Sequence, residues 1–275
     1  TGCGKCARDC FPQDIEIIDR KAKFKNISCI KCGHCIAVCP SNAVSIDEYD
    51  MGDVKPYNKE TFAIEPERLL NFIKFRRTVR QFKTQDVEDE KLLRIVEAGR
   101  FTQTGSNLQD VSYIIVKKGL QELKTMVLAT LKEMGESYLS ESVSANSDDQ
   151  APSVMQPQTA SLYKRYAEKW IRMYEAYQAD PVFNDRLFFN APAVIVVTAQ
   201  SPVSAGLASS NMELMTNALG LGTVFSGYFV RAARANKKIT DYLGVQEGKE
   251  VVTCMVIGYP NVQYLRTVPR KKADI

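Results

Sequence analysis

Four cysteines stand close together near the start of the chain, in the spacing C-x2-C-x2-C-x3-C. They are Cys29, Cys32, Cys35 and Cys39, and Pro40 follows directly. Three thiolates two residues apart wrap a tight loop round one corner of an iron–sulfur cube, whereas the fourth lies about one helical turn further on. Zinc usually takes two separated cysteine pairs or a cysteine–histidine mixture, and disulfides are the other alternative. The spacing favours an iron–sulfur cluster over both.

A shorter run of the same kind precedes this second run. Cys3, Cys6 and Cys10 form a first run with the spacing C-x2-C-x3-C, which is the second half of the same pattern. A cysteine just before Thr1 would complete the pattern; the alternative is a first cluster with only three cysteines. We favour the preceding cysteine, because residues 1–6 have the composition of the interior of such a loop.

Residues 1–48 resemble a bacterial two-cluster ferredoxin. The resemblance implies two [4Fe-4S] clusters with crossed ligation, in which Cys10 joins the first three cysteines of the second run and Cys39 joins Cys3 and Cys6. All seven cysteines of the two runs are then metal ligands. His34, the only histidine of the chain, is interpreted as a solvated loop residue, because the cysteines already fill the coordination sphere.

A second group of residues with binding chemistry begins at position 76. Arg76, Arg77, Thr78 and Arg80 lie within five residues of one another at the end of a predicted helix. Guanidinium groups and a hydroxyl at this spacing can bind a phosphate through bidentate hydrogen bonds. A charged helix end in water is the alternative when the segment is taken alone.

Three further segments strengthen the phosphate hypothesis. Residues 104–109 contain short amides and hydroxyls between a predicted helix and a strand. Residues 220–228 contain glycines that permit close backbone approach, and residues 269–272 add positive charge.

In this order, the four segments resemble the FMN-dependent nitroreductase family over residues 64–272. The resemblance implies an intertwined homodimer with FMN at the subunit boundary. It implies backbone near the reactive N5 of the flavin at Ser204 and Ala205, just before a buried helix. The implied FMN-binding residues are Arg76, Arg77, Thr78, Arg80 and Arg270 at the phosphate, Ser106, Asn107 and Gln109 at the ring and ribityl chain, and Phe225, Ser226 and Gly227 along the isoalloxazine.

Hydrophobic periodicity predicts the elements that position these residues. A strand at residues 15–18 is expected to have its counterpart at 44–46. Helices are predicted around 69–73, 87–100 with Asp86 as N-cap, 120–134, 162–177 and 205–219, and strands at 111–116, 193–198 and 251–257. The last two strands are continuous apolar runs, which suit burial by helices on both faces. The fold class is α+β: a ferredoxin-like domain at 1–48, a linker at 49–63 and a nitroreductase-like, helix-rich domain at 64–275.

Other features have interpretations of their own. Residues 137–159 are polar with little periodicity, which fits an active-site lid or a surface insertion equally. A stripe of Leu162, Tyr166, Trp170, Met173 and Tyr177 favours core or subunit contact over a cofactor site. Cys254, within an apolar strand, is predicted to be a small buried hydrophobe.

Composition excludes several classes. The chain has 275 residues and a net charge of +4, so nothing demands nucleic acid or an acidic membrane surface. No apolar run reaches the length of a membrane span, and no signal peptide is visible. Cysteines held for iron imply a reducing compartment, so we expect a cytoplasmic location.

These observations lead to one functional hypothesis with two rivals. Electrons enter through the two clusters, collect on FMN and leave to a small electron-poor acceptor such as a nitro compound, and NAD(P)H or an external ferredoxin is the donor. The single histidine argues against a His-based hydrolytic triad. The rivals are a non-catalytic electron carrier, and another flavin reaction on the same scaffold, such as dehalogenation, flavin fragmentation or enoate reduction.

Overall fold

The computed structural model describes residues 1–144 and 157–275, and all structural statements concern these residues. The chain divides into two compact units. The N-terminal unit comprises Thr1–Leu70 and Gln103–Gln109, and the C-terminal unit comprises Asn71–Thr102 and Asp110–Ile275. The segment 103–109 therefore belongs to the N-terminal unit, although the residues before and after it in the sequence belong to the other. The domain boundaries predicted at 48 and 64 do not coincide with this division.

Short elements make up the N-terminal unit. In chain order they are α1 (Lys5–Asp9), β1 (Ile15–Ile18), β2 (Lys21–Phe24), α2 (His34–Ala37), a 3-10 turn (Met51–Asp53), α3 (Lys59–Phe62), α4 (Pro66–Phe75), which continues into the C-terminal unit, and a 3-10 turn (Gly105–Asn107). Only Asp14 and Ile15 are buried in this unit. A unit this small with so little apolar core needs another source of stability, such as bound metal.

The strand predicted at residues 15–18 is present, but its predicted partner is wrong. β1 pairs antiparallel with β2, with Ile18 opposite Lys21, and residues 44–46 form no strand. Asp19 and Arg20 between the strands have φ of 49° and 59°. Two consecutive left-handed residues form the tight hairpin turn that matches the twist of paired strands. The predicted linker at 49–63 contains the first 3-10 turn and α3.

A four-stranded antiparallel sheet forms the centre of the C-terminal unit, in the order β3-β4-β6-β5. Its strands are β3 (Ser112–Val116), β4 (Ala193–Ala199), β5 (Gly222–Phe225) and β6 (Glu250–Gly258). Its helices are α5 (Asp89–Arg100), α6 (Leu120–Ser144), α7 (Pro157–Ala179), α8 (Pro202–Ala218), α9 (Gly227–Ala235) and α10 (Lys237–Tyr242).

Helices cover both faces of this sheet, as the apolar runs predicted. Every residue of β4 is buried. Val194 and Val196 pack into a core with α6, α7 and α9, whereas Ile195 and Val197 pack into a second core with α5 and α8. Because side chains alternate along a strand, one apolar run supplies both cores. Cys254 is fully buried in the first core, which confirms its prediction, and burial raises the pKa of its thiol.

Several element boundaries differ from prediction. α5 begins at Asp89 after Glu88, and Asp86 pairs with Lys117 at 2.8 Å instead of capping the helix. α6 continues to residue 144 and α7 begins at residue 157, so the ends of the predicted 137–159 insertion are helical. Residues 145–156 lie outside the described residues.

The aromatic stripe of α7 splits between core and surface. Trp170, Met173 and Tyr177 are buried in the first core, whereas Leu162 and Tyr166 are exposed. Among the described residues, no helix has both the length and the apolarity that a membrane span needs.

Candidate functional site

The two cysteine runs of the N-terminal unit fold alike. Gly4 lies between Cys3 and Cys6 with φ of 71°, and Gly33 lies between Cys32 and Cys35 with φ of 75°. Each glycine is the N-cap of a short helix, α1 or α2, which carries the second cysteine of its pair. Left-handed backbone costs glycine nothing, so the shared C-G-x-C sequence explains the shared loop.

Four of the cysteines line one cavity of about 520 Å³ within this unit. They are Cys10, Cys29, Cys32 and Cys35, the set that the ferredoxin resemblance assigns to a single cluster. All eight cysteines of the chain are free, so the disulfide alternative is wrong in this structure. Within the described residues, no three side chains of Cys, His, Asp or Glu converge on one ion position.

Backbone amides point at three of the cysteine sulfurs. The amide of Asp14 donates to Cys10 Sγ at 3.4 Å, that of Lys31 to Cys29 Sγ at 3.4 Å, and that of Ala43 to Cys39 Sγ at 3.3 Å. In iron–sulfur proteins, hydrogen bonds to the cysteine sulfurs tune the cluster potential. The donor set is chemically suited to iron.

Asp14 holds the segment after β2 that leads into the second cysteine run, and sequence reasoning missed it. Its carboxylate accepts hydrogen bonds from the amides of Asn26 at 2.7 Å, Ile27 at 3.0 Å and Ser28 at 3.0 Å. These bonds, that of Ser28 foremost, lower the pKa of the Asp14 carboxyl. The residue that follows Ser28 is Cys29, so Asp14 fixes the start of the loop.

Of the predicted flavin-facing residues of segment 103–109, Asn107 contacts the loop of the second cysteine run and Gln109 contacts Tyr49. The Asn107 amide nitrogen donates to the carbonyl oxygens of Ile30 and Lys31, each at 3.0 Å, and to the Tyr49 hydroxyl at 3.3 Å. Gln109 Nε2 donates to the same hydroxyl at 2.5 Å. Ser106, Asn107 and Gln109 all have left-handed backbone, with φ of 49°, 55° and 49°. Ile30 and Lys31 lie between Cys29 and Cys32, so Asn107 supports the loop of the second run.

In the C-terminal unit, the arginine-rich segment lies beside β5. Thr78 forms a parallel bridge with Thr223, and the Val79 amide donates to the Thr223 carbonyl at 2.9 Å. A Cβ added to Gly222 would lie 2.5 Å from Val79 Cγ2. Gly222 is therefore needed for close packing of this segment against the strand. Gly220, with φ of 74°, ends α8 in a Schellman motif. In this motif the Gly220 amide donates to the Asn217 carbonyl, and the Leu221 amide donates to the Thr216 carbonyl.

The predicted phosphate-binding arginines have different surroundings. Arg76 is paired with Glu213, which is only 15% exposed, and Arg77 donates to the Lys74 carbonyl. Arg80 is exposed and lines a cavity. Arg270 is exposed, and its guanidinium lies 3.5 Å from the Pro269 carbonyl; no described contact joins it to the arginine-rich segment. Of the five predicted phosphate residues, the structure brings only Arg80 to this cavity.

That cavity has a volume of about 730 Å³ and lies wholly within the C-terminal unit. Phe225, Ser226 and Gly227, which the family resemblance assigns to the isoalloxazine, line it together with Arg80. They occupy the end of β5 and the first residue of α9, whose N-cap is Ser226, with its hydroxyl accepting from the Phe229 amide at 3.4 Å. The N-terminus of a helix favours negative charge.

Sequence reasoning missed most of the charge in this cavity. Besides Arg80, three cations line it: Lys169, Arg186 and Arg231. None of the described residues that line it is acidic. These four side chains come from positions far apart in the sequence, so no local motif could have identified them.

Ser204 and Ala205 are not placed as predicted. They lie inside the first turn of α8 and not before it, and both are buried. The Ser204 amide donates to Ser201 Oγ at 3.3 Å, and the Ala205 amide donates to the Ser201 carbonyl at 3.2 Å. Because these amides are bonded within the helix and neither residue lines the cavity, the structure gives no support to a role of their backbone at N5.

Comparisons with known proteins agree with the fold of the C-terminal unit. A sequence model described as the Nitroreductase family matches residues 73–259. No curated protein matches the chain.

Solved structures of the same fold cover about three quarters of the chain. A nitroreductase with bound FMN from Bacteroides fragilis is 20% identical, with a TM-score of 0.53 over 75% of this chain and 97% of its own. A nitroreductase with bound FMN from Desulfitobacterium hafniense is 24% identical, with a TM-score of 0.51 over 75% and 97%. A BluB-like flavoprotein from Clostridium difficile is 19% identical, with a TM-score of 0.53 over 76% and 96%.

Proposed function

Because the chain belongs to the nitroreductase family, we propose that it is an FMN-dependent oxidoreductase that reduces a small electron-poor acceptor, such as a nitro compound, with electrons supplied through two [4Fe-4S] clusters. The observation that carries the flavin part is the cavity of the C-terminal unit. Arg80 and residues 225–227, predicted from the sequence to bind FMN, line that cavity together.

The residues of this cavity fit a flavin mononucleotide. Its volume of about 730 Å³ falls within the range of small-molecule and cofactor sites. Arg80 provides a fork for the phosphate, and the cap of α9 directs the amide end of a helix towards the site. When bound, FMN supplies hydride and single-electron chemistry. The cations of the cavity favour negative charge, and therefore the anionic reduced form of such a cofactor.

The cluster proposal rests on the N-terminal unit. It is supported by the cavity shared by Cys10, Cys29, Cys32 and Cys35, by the repeated C-G-x-C loops and by the amide–sulfur hydrogen bonds. In a cube each thiolate binds one corner, so four cysteines around a common cavity are a suitable donor set. Cys3, Cys6 and Cys39 are proposed for the second cluster. Asn107 and Asp14 would keep the loop of the second run in place.

Protein residues have three tasks in this proposal: binding, orientation and exclusion of water. Arg80 and the backbone of residues 225–227 bind and orient the cofactor. The aromatic side chains of Trp170 and Tyr228, which line the same cavity, exclude water from it. We also propose a homodimer, which the family resemblance implies. The donor, NAD(P)H or an external ferredoxin, is left to experiment.

Anaerobic purification followed by a cofactor inventory tests the proposal. We expect about eight irons and one FMN per chain, and steady reduction of a nitroaromatic compound when chemically reduced ferredoxin is supplied in excess. FMN without iron would refute the cluster half alone. FMN and iron without turnover of any acceptor would favour the non-catalytic carrier, and turnover restricted to halogenated or enoate substrates would favour another flavin reaction.

A further inference from the structure

The cation-lined cavity of the C-terminal unit carries more positive charge than FMN can neutralise. Arg80, Lys169, Arg186 and Arg231 line it, with no acidic residue among the described lining residues. A phosphate monoester carries about two negative charges at neutral pH. Binding of one oxidised FMN would leave about two of the four cations without a counter-charge, and the anionic reduced form would still leave about one. A cleft lined by one sign of charge focuses its field and concentrates ligands of the opposite sign.

Two of these cations are held over aromatic rings. Lys169 Nζ lies 5.3 Å from the centroid of the Tyr228 ring, and Arg231 Cζ lies 5.4 Å from that of Trp170. Contact with a ring face orients a cation and removes part of its hydration. Lys169 and Arg231 are therefore preorganised to bind an anionic ligand.

The same rings form a wall suited to a flat apolar ligand. Trp170 and Tyr228 meet edge to face at a centroid distance of 6.3 Å, and Tyr166 stacks on Trp170 at 6.2 Å. Aromatic pairs of this geometry favour further ring contacts at their faces and edges. The cavity thus combines an aromatic wall with positive charge beside it.

Resting on the proposed function, we propose that the acceptor reduced in this cavity is an aromatic carboxylate, with Lys169 and Arg231 binding the carboxylate and the aromatic wall contacting the ring. For a nitro acceptor, the first two-electron step would take two electrons from the reduced flavin and two protons, and would convert the nitro group to nitroso with release of one water. The carboxylate is unchanged and serves only for recognition.

The first test compares two acceptors of nearly equal shape. We expect 4-nitrobenzoate to be reduced with a kcat/KM at least tenfold above that of the neutral 4-nitrobenzamide, with the difference mainly in KM and shrinking as salt is raised. Lys169→Gln and Arg231→Gln should each lower the ratio of kcat/KM for the benzoate to kcat/KM for the amide about tenfold, whatever their effect on the flavin itself. Lys164→Gln is the matched control, because Lys164 is exposed on the same helix and does not line the cavity.

A second readout does not depend on turnover. Trp170 is the only tryptophan of the chain and lines the cavity, so its fluorescence reports a ligand there. Titration of the FMN-loaded protein with benzoate should change this fluorescence with saturation, and benzamide should require at least tenfold higher concentration. Lys169→Gln should weaken the benzoate response and Lys164→Gln should not.

The outcomes separate this inference from the proposed function. Equal kcat/KM for benzoate and amide would overturn the anionic acceptor while leaving nitro reduction intact. If neither compound is reduced but benzoate still binds in preference to benzamide, the anion site stands and the proposed reaction falls. Equal fluorescence titrations by benzoate and benzamide in the wild-type protein would overturn the site whatever the variants do.

Discussion

Asn107 is hydrogen-bonded to Lys31: the side-chain amide of Asn107 donates to the Lys31 carbonyl oxygen at 3.0 Å. Seventy-six positions separate the two residues, and Lys31 lies between the first two cysteines of the second run. The same amide also reaches the Ile30 carbonyl at 3.0 Å. One side chain therefore joins the segment 103–109 to the loop whose cysteines we propose as cluster ligands.

We predict that Asn107→Gly loosens this loop. The variant removes all three donated hydrogen bonds, two of them to the loop, while glycine tolerates the φ of 55° at this position. Each hydrogen bond contributes about 1 kcal/mol, so anaerobic iron release to a chelator should be about 5- to 30-fold faster. Leu108→Ala is the control, since Leu108 is 67% exposed in the same segment. Equal rates in Asn107→Gly and wild type would contradict the role of Asn107.

The arginine-rich segment predicts two separable phenotypes. Arg76→Ala leaves the part-buried Glu213 without its cation, so we expect unfolding to become easier by about 1–3 kcal/mol. Arg80→Ala removes an exposed side chain that lines the cavity, so we expect near-wild-type stability but FMN binding weaker by about tenfold or more, since a charge-assisted contact is worth about 1.5–3 kcal/mol.

Thermal unfolding of the apoprotein and FMN titration by fluorescence measure the two effects separately. The distinction fails if Arg80→Ala unfolds as easily as Arg76→Ala, or if its FMN affinity is that of the wild type.

The sequence predicts those parts of the fold that depend on local patterns, and it misses those that depend on contacts between residues far apart in the sequence. The strands at 193–199 and 250–258 were predicted nearly in full, because strands covered on both faces are continuous apolar runs. β2 was missed because Lys21 and Lys23 are exposed on a two-stranded hairpin, where burial imposes no apolar pattern. The hairpin depends on the turn at residues 19–20, neither of which is a glycine, so the sequence carries no strong turn signal there.

The sites show the same limit more sharply. The cysteine spacing and the arginine-rich segment are local patterns, so each led to a prediction from the sequence alone. The sequence predicted that Asn107 contacts flavin, and that stays a prediction. Its hydrogen bonds with Ile30 and Lys31 were not predicted, because the family resemblance says nothing of contacts with an additional cysteine-rich unit. The cations Lys169, Arg186 and Arg231 became a group only when α7, the 186–189 loop and α9 came together around one cavity.

Gly222→Ala should disturb the packing of the arginine-rich segment. The added Cβ would lie 2.5 Å from Val79 Cγ2 and 2.8 Å from Val79 Cβ, so the segment must move away from β5. Overpacking of this kind costs about 1–3 kcal/mol, and FMN affinity should fall with it.

Denaturant unfolding measures the cost, and the double variant Gly222→Ala, Val79→Ala should recover part of it because the Cγ2 contact is gone. Gly206→Ala is the control: no atom lies within 4 Å of its added Cβ, and alanine is the better helix former. A Gly222→Ala protein as stable as Gly206→Ala would contradict this packing argument.

Lys117 connects β3 to the start of α5 and should make stability depend on pH. Its ammonium donates to the Val87 carbonyl and the Asp89 carboxylate, both at 2.8 Å, and pairs with Asp86 at 2.8 Å. The bond with Asp86 raises the pKa of Lys117, and the same bond lowers the pKa of Asp86. The contribution of Asp86 is present above its unfolded pKa of about 3.9 and is lost as pH falls through its lower folded value.

Lys117→Met should therefore destabilise the protein at neutral pH, and the difference from wild type should shrink on acidification below about pH 4. It should also shrink at alkaline pH, as Lys117 loses its proton above its unfolded pKa of about 10.4. Lys118→Met, at the neighbouring exposed position, is the matched control. A difference that stays constant from pH 3 to 7 would show that the ion pair with Asp86 contributes nothing.

Lys124 and Asp185 form the most buried ion pair among the described residues, with side chains 8% and 0% exposed and a separation of 2.6 Å. Asp185 also accepts hydrogen bonds from the amides of Leu187, Phe188 and Asn190. The carboxylate thus organises the turn that carries Arg186 and Leu187 into the cation-lined cavity. Lys124→Met would leave a buried charge without its partner, at a cost of about 3–5 kcal/mol.

The double variant Lys124→Met, Asp185→Asn separates charge from geometry. It removes both charges, so it should recover part of the stability lost in Lys124→Met, because no uncompensated carboxylate stays buried. The amide oxygen can replace only part of the hydrogen bonding of the carboxylate, so the turn at 185–190 should stay less ordered, and FMN affinity should recover less than stability does. Chemical denaturation and FMN titration of the three proteins measure this. If the double variant is no more stable than Lys124→Met, burial of an unpaired charge is not the source of the loss.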